Sequence, residues 1–422
     1  MSTINTPQYW TVPNHRGEQV LVSPRRAAEA ASIDADADGV LSDDEIVDYM
    51  RKNEILRAEP AKADLPRITE EFKAHLTGTP VATARGDMKN YRSLAEIEAR
   101  MHELAAEHPD RCKLISIGHT HEGRDVWALK VSSGAQGDTT NKPGVVFTGA
   151  HHAREWMTPE VTLGMAEDMV ENYDRNADAK RRVDNAETWF LPVVNPDGFA
   201  YSQTEDNMWR KNRTPIPDVT QPEGKPLGYG VDLNRNYWDG KPEHMFLYRH
   251  ADDTPSSTWD DYGASDSPRS DSFRGRSPAS EAEVQGLIAF EQAPNIRGVV
   301  DHHSYGNLLL RPWDDRAEDP ENVKDYDEVA GRMLAAQGKD AYQYMRTYDL
   351  YPVTGASIAF NHVNGRFAFG IEMGESFQPW YSDFPNTYKT VSSADFAFLD
   401  WIIEKSSPVT PAPTTPEPPS GN

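Results

Sequence analysis

The sequence predicts an α/β fold: a mixed, mostly parallel central sheet with helices on both faces, and a small helical segment near the N-terminus. Three observations predict it. From about residue 88 to 406, short β-branched and aromatic runs alternate with segments of helical length. Several of those runs are apolar throughout, as strands covered on both faces are. The 422 residues are also enough for one large block of this kind with a smaller appendage.

Taken in chain order, residues 1–58 contain one specific pattern, DADADGVLSDDE over 34–45. Asp34, Asp36 and Asp38 offer carboxylates at alternate positions, and the glycine after them permits a sharp turn. Val40 offers its carbonyl, Ser42 can hold a water, and Glu45 can bind through both oxygens. That is the calcium loop of an EF-hand. Residues 27–33 and 46–51 read as its flanking helices, and no second loop of comparable quality follows. Asp174, Asn176 and Asp178 begin a similar alternation, but Ala179 stands where the glycine belongs, so we expect an ordinary loop there. Residues 59–87 carry prolines among charges around one helix-like patch at 68–76, which reads as a linker or pro-like segment.

In the main block, 94–106 reads as a helix, 126–131 and 145–148 as strands, and 161–173 as a helix. Further strands are expected at 189–194, 299–303 and 367–371, and further helices at 281–290 and 393–403. Residues 407–422, rich in Pro and Thr, cannot bury a core and read as an extended tail.

Composition excludes some roles. Forty-three Lys and Arg against 67 Asp and Glu give a net charge of -24, which repels nucleic acid and anionic membrane surfaces. The single cysteine, Cys112, rules out an internal disulfide. No apolar stretch resembles a secretory leader or a membrane span, so we expect a protein that stays in the cytoplasm or leaves by a non-Sec route; we also expect a monomer.

The chemistry concentrates in VFTGAHHAREWMTP, residues 146–159, where a strand gives way to a helix. His152 and Glu155 stand three apart just past the strand end, a spacing that lets an imidazole and a carboxylate converge on one ion. His152 and His303 both follow strand candidates, the place where ligands belong in such a sheet.

Six stretches then carry a resemblance: GAHHAREW, NPDGFAYSQTEDNMWRKNR, GVDLNRN, HHSYGNLLLRPW, YPVTGASI and FGIEMGE. In that order they resemble the zinc carboxypeptidases of the pancreatic carboxypeptidase A type, over about residues 88–406. The resemblance implies Zn²⁺ on His152, Glu155 and His303, with Glu372 as general base. Arg213 would polarise the scissile carbonyl, and Arg154 and Arg210 would hold the upstream peptide. Asn234, Arg235 and Tyr351 would clamp a terminal carboxylate, which implies an exopeptidase acting on the C-termini of peptides and proteins. Asp232 would orient His152.

His151 and His302 adjoin the two metal histidines, and the family frame favours His152 and His303. Ile358 and Ala356 fall at the floor of the side-chain pocket and favour an apolar residue there. Asp314 falls where some basic-specific relatives carry an aspartate, and Arg346 falls near enough to neutralise it or to favour an acidic residue. Gly374 replaces an arginine of the pancreatic enzymes, the family's disulfide is absent, and residues 239–269 read as an acidic insertion at the site mouth. Two other activities fit these residues: hydrolysis of unusual amides, such as peptidoglycan stem peptides or polyglutamate, and calcium-dependent scaffolding by an inactive peptidase fold.

Overall fold

The computed structural model describes residues 11–13, 19–21, 33, 42–52, 69, 91–216, 230–248, 263–338, 341–379 and 381–406. Near the N-terminus, β1 (Thr11–Pro13) and β2 (Gln19–Leu21) form an antiparallel pair. Of the calcium-loop candidates, Asp34, Asp36, Asp38 and Val40 lie outside the described residues, as do 407–422 and nearly all of 59–87. Ser42 and Glu45 are described. Ser42 precedes the helix Asp43–Lys52 and its backbone N–H and hydroxyl both donate to Glu45 Oε2, at 2.9 and 2.7 Å. These contacts cap the helix start. Ile46 and Val47, on the face expected to be apolar in the exit helix, are buried, and so is Ile33.

The main block is one eight-stranded sheet. Its strands are β3 (Cys112–His119), β4 (Asp125–Val131), β5 (Gly144–Thr148), β6 (Glu187–Leu191), β7 (Ile296–His303), β8 (Leu308–Arg311), β9 (Gln343–Arg346) and β10 (Phe367–Glu372). Their spatial order is β3-β4-β6-β5-β7-β10-β8-β9. The four central strands, β6, β5, β7 and β10, run parallel. Antiparallel pairing enters only toward the edges, at β3 with β4, β4 with β6, and β8 with β10. The expected mixed sheet is therefore present, with its parallel part at the centre.

Both faces are covered. Val145 and Phe147 of β5 join one core, with the helices Leu94–Glu107, Met157–Glu171, Val323–Gln337 and Phe384–Lys405. Val146, between them, points into a second core with the helices Ala282–Glu291 and Ser357–Val363. The period of two along a strand makes this division. Every residue of β5 is buried, which is why its sequence is continuously apolar.

Several elements depart from expectation. The last helix starts at Phe384, nine residues before the predicted 393, because Tyr388 packs on Gly164 and donates to the Gly164 carbonyl at 3.1 Å and to Asp168 at 2.8 Å. A side chain at 164 would meet that ring at 2.9 Å. Of the loop expected at 174–178, residues 174–176 lie in a turn as expected, and 177–178 already belong to a short helix, Ala177–Asn185, whose first N–H groups donate to Asn176 Oδ1. The missed strands β3, β8 and β9 lie outside the parallel centre, where short or polar runs suffice. Cys112 opens β3 fully buried, and burial pushes its thiol up to about 12. No described helix is long and apolar enough to cross a membrane.

Candidate active site

The site lies at the carboxyl ends of the parallel strands. β5 ends at Thr148, and Gly149 follows because a Cβ there would sit 2.7 Å from the Pro192 carbonyl and 2.9 Å from Thr162 Oγ1. Ala150 then turns the chain with φ at 49°, held by its N–H donating to Thr158 Oγ1 at 2.9 Å. This turn delivers His152 and Glu155 just before the helix Met157–Glu171. His303 is the last residue of β7, and its partner across the ladder is Glu372, the last residue of β10. Parallel pairing therefore places the third candidate ligand and the candidate base side by side.

His152 Nδ1 is 2.7 Å from Glu155 Oε1, His303 Nδ1 is 3.1 Å from Glu155 Oε2, and the two Nδ1 atoms are 3.2 Å apart. Nitrogens bound tetrahedrally to one Zn²⁺ at about 2.0–2.1 Å would lie about 3.3 Å from each other. The donor set is two imidazoles and a carboxylate, and each imidazole turns its other nitrogen to a second carboxylate. His152 Nε2 is 3.2 Å from Asp232 Oδ1, and His303 Nε2 is 2.8 Å from Asp301 Oδ2. That is how protein zinc ligands are oriented. These residues fit the metal.

The buried carboxylates make this a site that favours positive charge. Burial opposes charge on Glu155, but His152 and His303 outweigh it and hold the carboxyl well below its usual range. Burial also opposes charge on His303, yet Asp301 and Glu155 favour a positive charge there. Burial, then Arg210, lower the His152 imidazole from its ordinary value, opposed by Glu155 and Asp232. Burial raises Glu372 to about 7, helped by Glu155 and Asp301 and opposed by His303 and Arg210.

The neighbouring histidines are committed elsewhere. His302 faces the other side of β7, with Nε2 2.9 Å from Asp395 and Nδ1 2.8 Å from Thr162 Oγ1. His151 lies 2.7 Å from Asp301 Oδ1 and 2.8 Å from the Tyr237 hydroxyl. His151, Asp301 and His303 also stand close enough to hold an ion. However, Thr148 and Ser357 hydroxyls already donate to the Asp301 oxygens at 2.8 and 2.9 Å, so this group reads as a hydrogen-bond hub.

Asp232 joins three parts of the site. It receives the Asn234 N–H at 3.0 Å, faces His152, and is gripped by Arg210 through Nε and Nη2, both at 2.8 Å. Arg210 is thus the guanidinium among the metal ligands, and its charge acts on His152 and Glu372. Arg213, expected to polarise the carbonyl, is placed otherwise. Its guanidinium lies over the Tyr201 ring at 3.8 Å and near Trp209 at 5.0 Å, with Nε 3.7 Å from Glu122. The two arginines are three residues apart and equally buried, one held by a carboxylate and the other on an aromatic stack. Arg154 stacks at 4.1 Å over Phe377 and reaches Asp271 at 3.3 Å.

Arg235 donates to the Gly263 carbonyl at 2.6 Å and to the Tyr351 hydroxyl at 3.3 Å, which brings these two candidates of the carboxylate clamp together. Asn234 Oδ1 accepts the Ser357 N–H at 2.8 Å. Gly355 allows this approach: its φ is 76°, and a Cβ there would lie 1.9 Å from the Arg235 carbonyl. Tyr351 is 43% exposed, available to a ligand.

Ile358 packs with Leu310 and Ala368. Asp314 is buried beneath the same helix, accepting the Ala359 N–H at 3.0 Å, and burial raises its carboxyl to about 7. Arg346, expected to neutralise it or to favour an acidic residue, is paired with Asp349 at 2.7 and 2.8 Å. Gly374 has φ at 72°, a conformation glycine adopts without strain, and accepts the Gly306 N–H at 3.0 Å. Asp301 was missed in the sequence, although the D-x-H spacing to His303 puts both on one strand face.

A zinc carboxypeptidase family model matches residues 97–393, and this chain belongs to that family. A metallocarboxypeptidase A of Trichophyton rubrum is 33% identical over 284 residues, 66% of this chain and 60% of the relative. The alignment thus spans less than two thirds of that relative's length. A zinc carboxypeptidase A 1 of Drosophila melanogaster is 27% identical over 89% of this chain and 84% of its own. Among solved structures, carboxypeptidase A of Helicoverpa armigera superposes with a TM-score of 0.62 at 22% identity, covering 75% of this chain and 74% of that one. Bovine thrombin-activatable fibrinolysis inhibitor, in complex with tick carboxypeptidase inhibitor, gives 0.63 at 23% identity, covering 75% and 98%. These structural likenesses show the fold.

Proposed function

We propose that this protein is a zinc-dependent exopeptidase that hydrolyses the C-terminal peptide bond of peptides and proteins, with its catalytic unit spanning residues 88–406. One observation carries the reading: the Nδ1 atoms of His152 and His303 and the Glu155 carboxylate converge beside Glu372, while Arg235 and Tyr351 meet nearby. When bound, Zn²⁺ would supply a Lewis acid for the scissile carbonyl and lower the pKa of water.

The chain's own residues do the rest. Glu372, raised to about 7, takes the proton of the attacking water and passes it to the leaving amine. Arg210, fixed by Asp232, supplies the cation toward the developing oxyanion, a role its place among the ligands supports over Arg213. Arg235, Asn234 and Tyr351 hold the substrate's terminal carboxylate, for which a guanidinium fork is suited. Arg154 lies beside the upstream chain. The apolar packing of Ile358, with Asp314 engaged by the backbone and Arg346 paired elsewhere, supports an apolar C-terminal residue.

Digestion of a peptide library, read by mass spectrometry with zinc present or chelated, tests this. Zinc-dependent loss of single C-terminal residues, blocked by C-terminal amidation, is expected. Internal cleavage, or none, would overturn the reading.

We also infer one Ca²⁺ in the 34–45 loop, on Asp34, Asp36, Asp38, Val40, Ser42 and Glu45. The support is the register of the sequence pattern and the position of Glu45, turned back toward Ser42 at the start of the exit helix.

A further inference from the structure

We propose that Asp301 is a positioning residue that couples the metal ligand His303 to the substrate-carboxylate clamp; the clamp half of this rests on the exopeptidase reading above. Asp301 is 1% exposed, on β7 two residues before His303 and opposite Thr148 of β5. Both carboxylate oxygens are in use. Oδ1 accepts the Thr148 hydroxyl at 2.8 Å and lies 2.7 Å from His151 Nδ1. Oδ2 accepts His303 Nε2 at 2.8 Å and the Ser357 hydroxyl at 2.9 Å, with the Asn234 amide nitrogen at 3.5 Å.

Two consequences follow. A carboxylate on Nε2–H fixes the ring so that Nδ1 faces Glu155 and His152, and it makes that nitrogen a stronger donor to a metal. The same oxygen holds Ser357, whose N–H donates to Asn234 Oδ1, so the Asn234 side chain is set by the group that sets His303. Asn234 Nδ2 lies only 2.9 Å from His303 Nε2. Both are donors, and both turn to the same acceptor. Without the Asp301 carboxylate their close approach would be repulsive, and the clamp amide and the ligand ring would separate.

The test uses the full-length protein with Asp301→Asn, Ser357→Ala and Thr148→Val. Zinc affinity is measured by chelator competition, and kcat and KM at saturating zinc on a peptide with a free C-terminus. Asp301→Asn is expected to weaken zinc binding about 10- to 100-fold, the usual cost of losing such a partner. It should also raise KM several-fold after zinc is restored. Ser357→Ala should raise KM with zinc affinity within about threefold of the parent, and Thr148→Val should change neither by more than that.

Unchanged zinc affinity in a folded Asp301→Asn protein would overturn the metal half, and kinetics fully restored by zinc would overturn the coupling. If Asp301→Asn does not fold, an unchanged KM in Ser357→Ala overturns the coupling by itself. A parent protein that binds zinc, loses affinity on Asp301→Asn and cleaves no peptide would instead sink the exopeptidase reading and leave the metal half standing.

Discussion

The sharpest test of the site concerns its two arginines, Arg210 and Arg213. Arg210 donates twice to Asp232 Oδ2 at 2.8 Å, and Asp232 Oδ1 faces the ligand His152. Removing the guanidinium withdraws a cation from the developing oxyanion, which costs about 10²–10³ in kcat, or ~2.7–4 kcal/mol. Truncation to alanine also strands Asp232, fully buried, at a cost of about 3–5 kcal/mol in stability. Arg210→Lys is the better probe, because it keeps the charge and loses the planar fork. We expect it to lower kcat at least about 30-fold while zinc content stays stoichiometric, a discounted share of the full oxyanion loss.

Arg213 contributes a stack over Tyr201 at 3.8 Å and a long contact to Glu122. Losing it costs about 0.5–1 kcal/mol in stability. Arg213→Ala should therefore keep kcat within about threefold and lower the thermal midpoint by a few degrees. The assays are steady-state kinetics on a peptide with an apolar C-terminal residue, metal analysis and thermal unfolding. A loss of about 10² or more in Arg213→Ala, beside a near-normal Arg210→Lys, would refute this reasoning and return the electrophilic role to Arg213.

Three further outcomes are expected. Glu372→Gln should retain zinc and lose at least about 10³-fold in turnover, within the range of about 10²–10⁴ that a positioned acid or base supplies, because the same group serves both proton transfers; near-parent activity would remove Glu372 from the base role. Burial holds Glu283 up at about 8 and Glu160 and Glu291 at about 7, all protonated in the fold above the pH at which an unfolded carboxyl ionises. Their stabilisation is present below about pH 4.5 and is lost as pH rises through 7 to 8, by roughly a few kcal/mol together. The thermal midpoint should therefore fall between pH 6 and pH 9, less steeply in Glu283→Gln, and a variant that tracks the parent would contradict the assignment. Glu45→Gln should abolish any calcium-dependent rise in thermal midpoint; a parent indifferent to calcium would argue against the 34–45 loop as a calcium site.

Much of the site was legible because it is local. H-x-x-E places His152 and Glu155 on one turn by backbone geometry alone, while D-x-N-R, which the family resemblance picked out, puts Asp232 at the cap of the 3₁₀ turn carrying Asn234 and Arg235. The strands of the sheet's centre were legible for a related reason: residues buried on both faces are apolar at every position, as in β5. Edge strands were not, since β9, Gln343–Arg346, is half polar and owes its existence to pairing with β8. The start of the last helix was missed for the same cause, because Tyr388 finds its partner 224 residues away at Gly164.

The sequence by itself determined the fold class and pointed to the strand ends where ligands sit, and most candidate residues there came from motifs that resemble a family. Only the tertiary structure decided between neighbours of equal chemistry. Arg210 is gripped by Asp232 beside the ligand His152, whereas Arg213 stacks on Tyr201. Asp301 became visible only when β5, β7 and the turn at Ser357 closed around one carboxylate. Composition records which groups can donate or accept, but which of them meet is set by long-range packing, and the strength of a buried polar contact depends on that meeting.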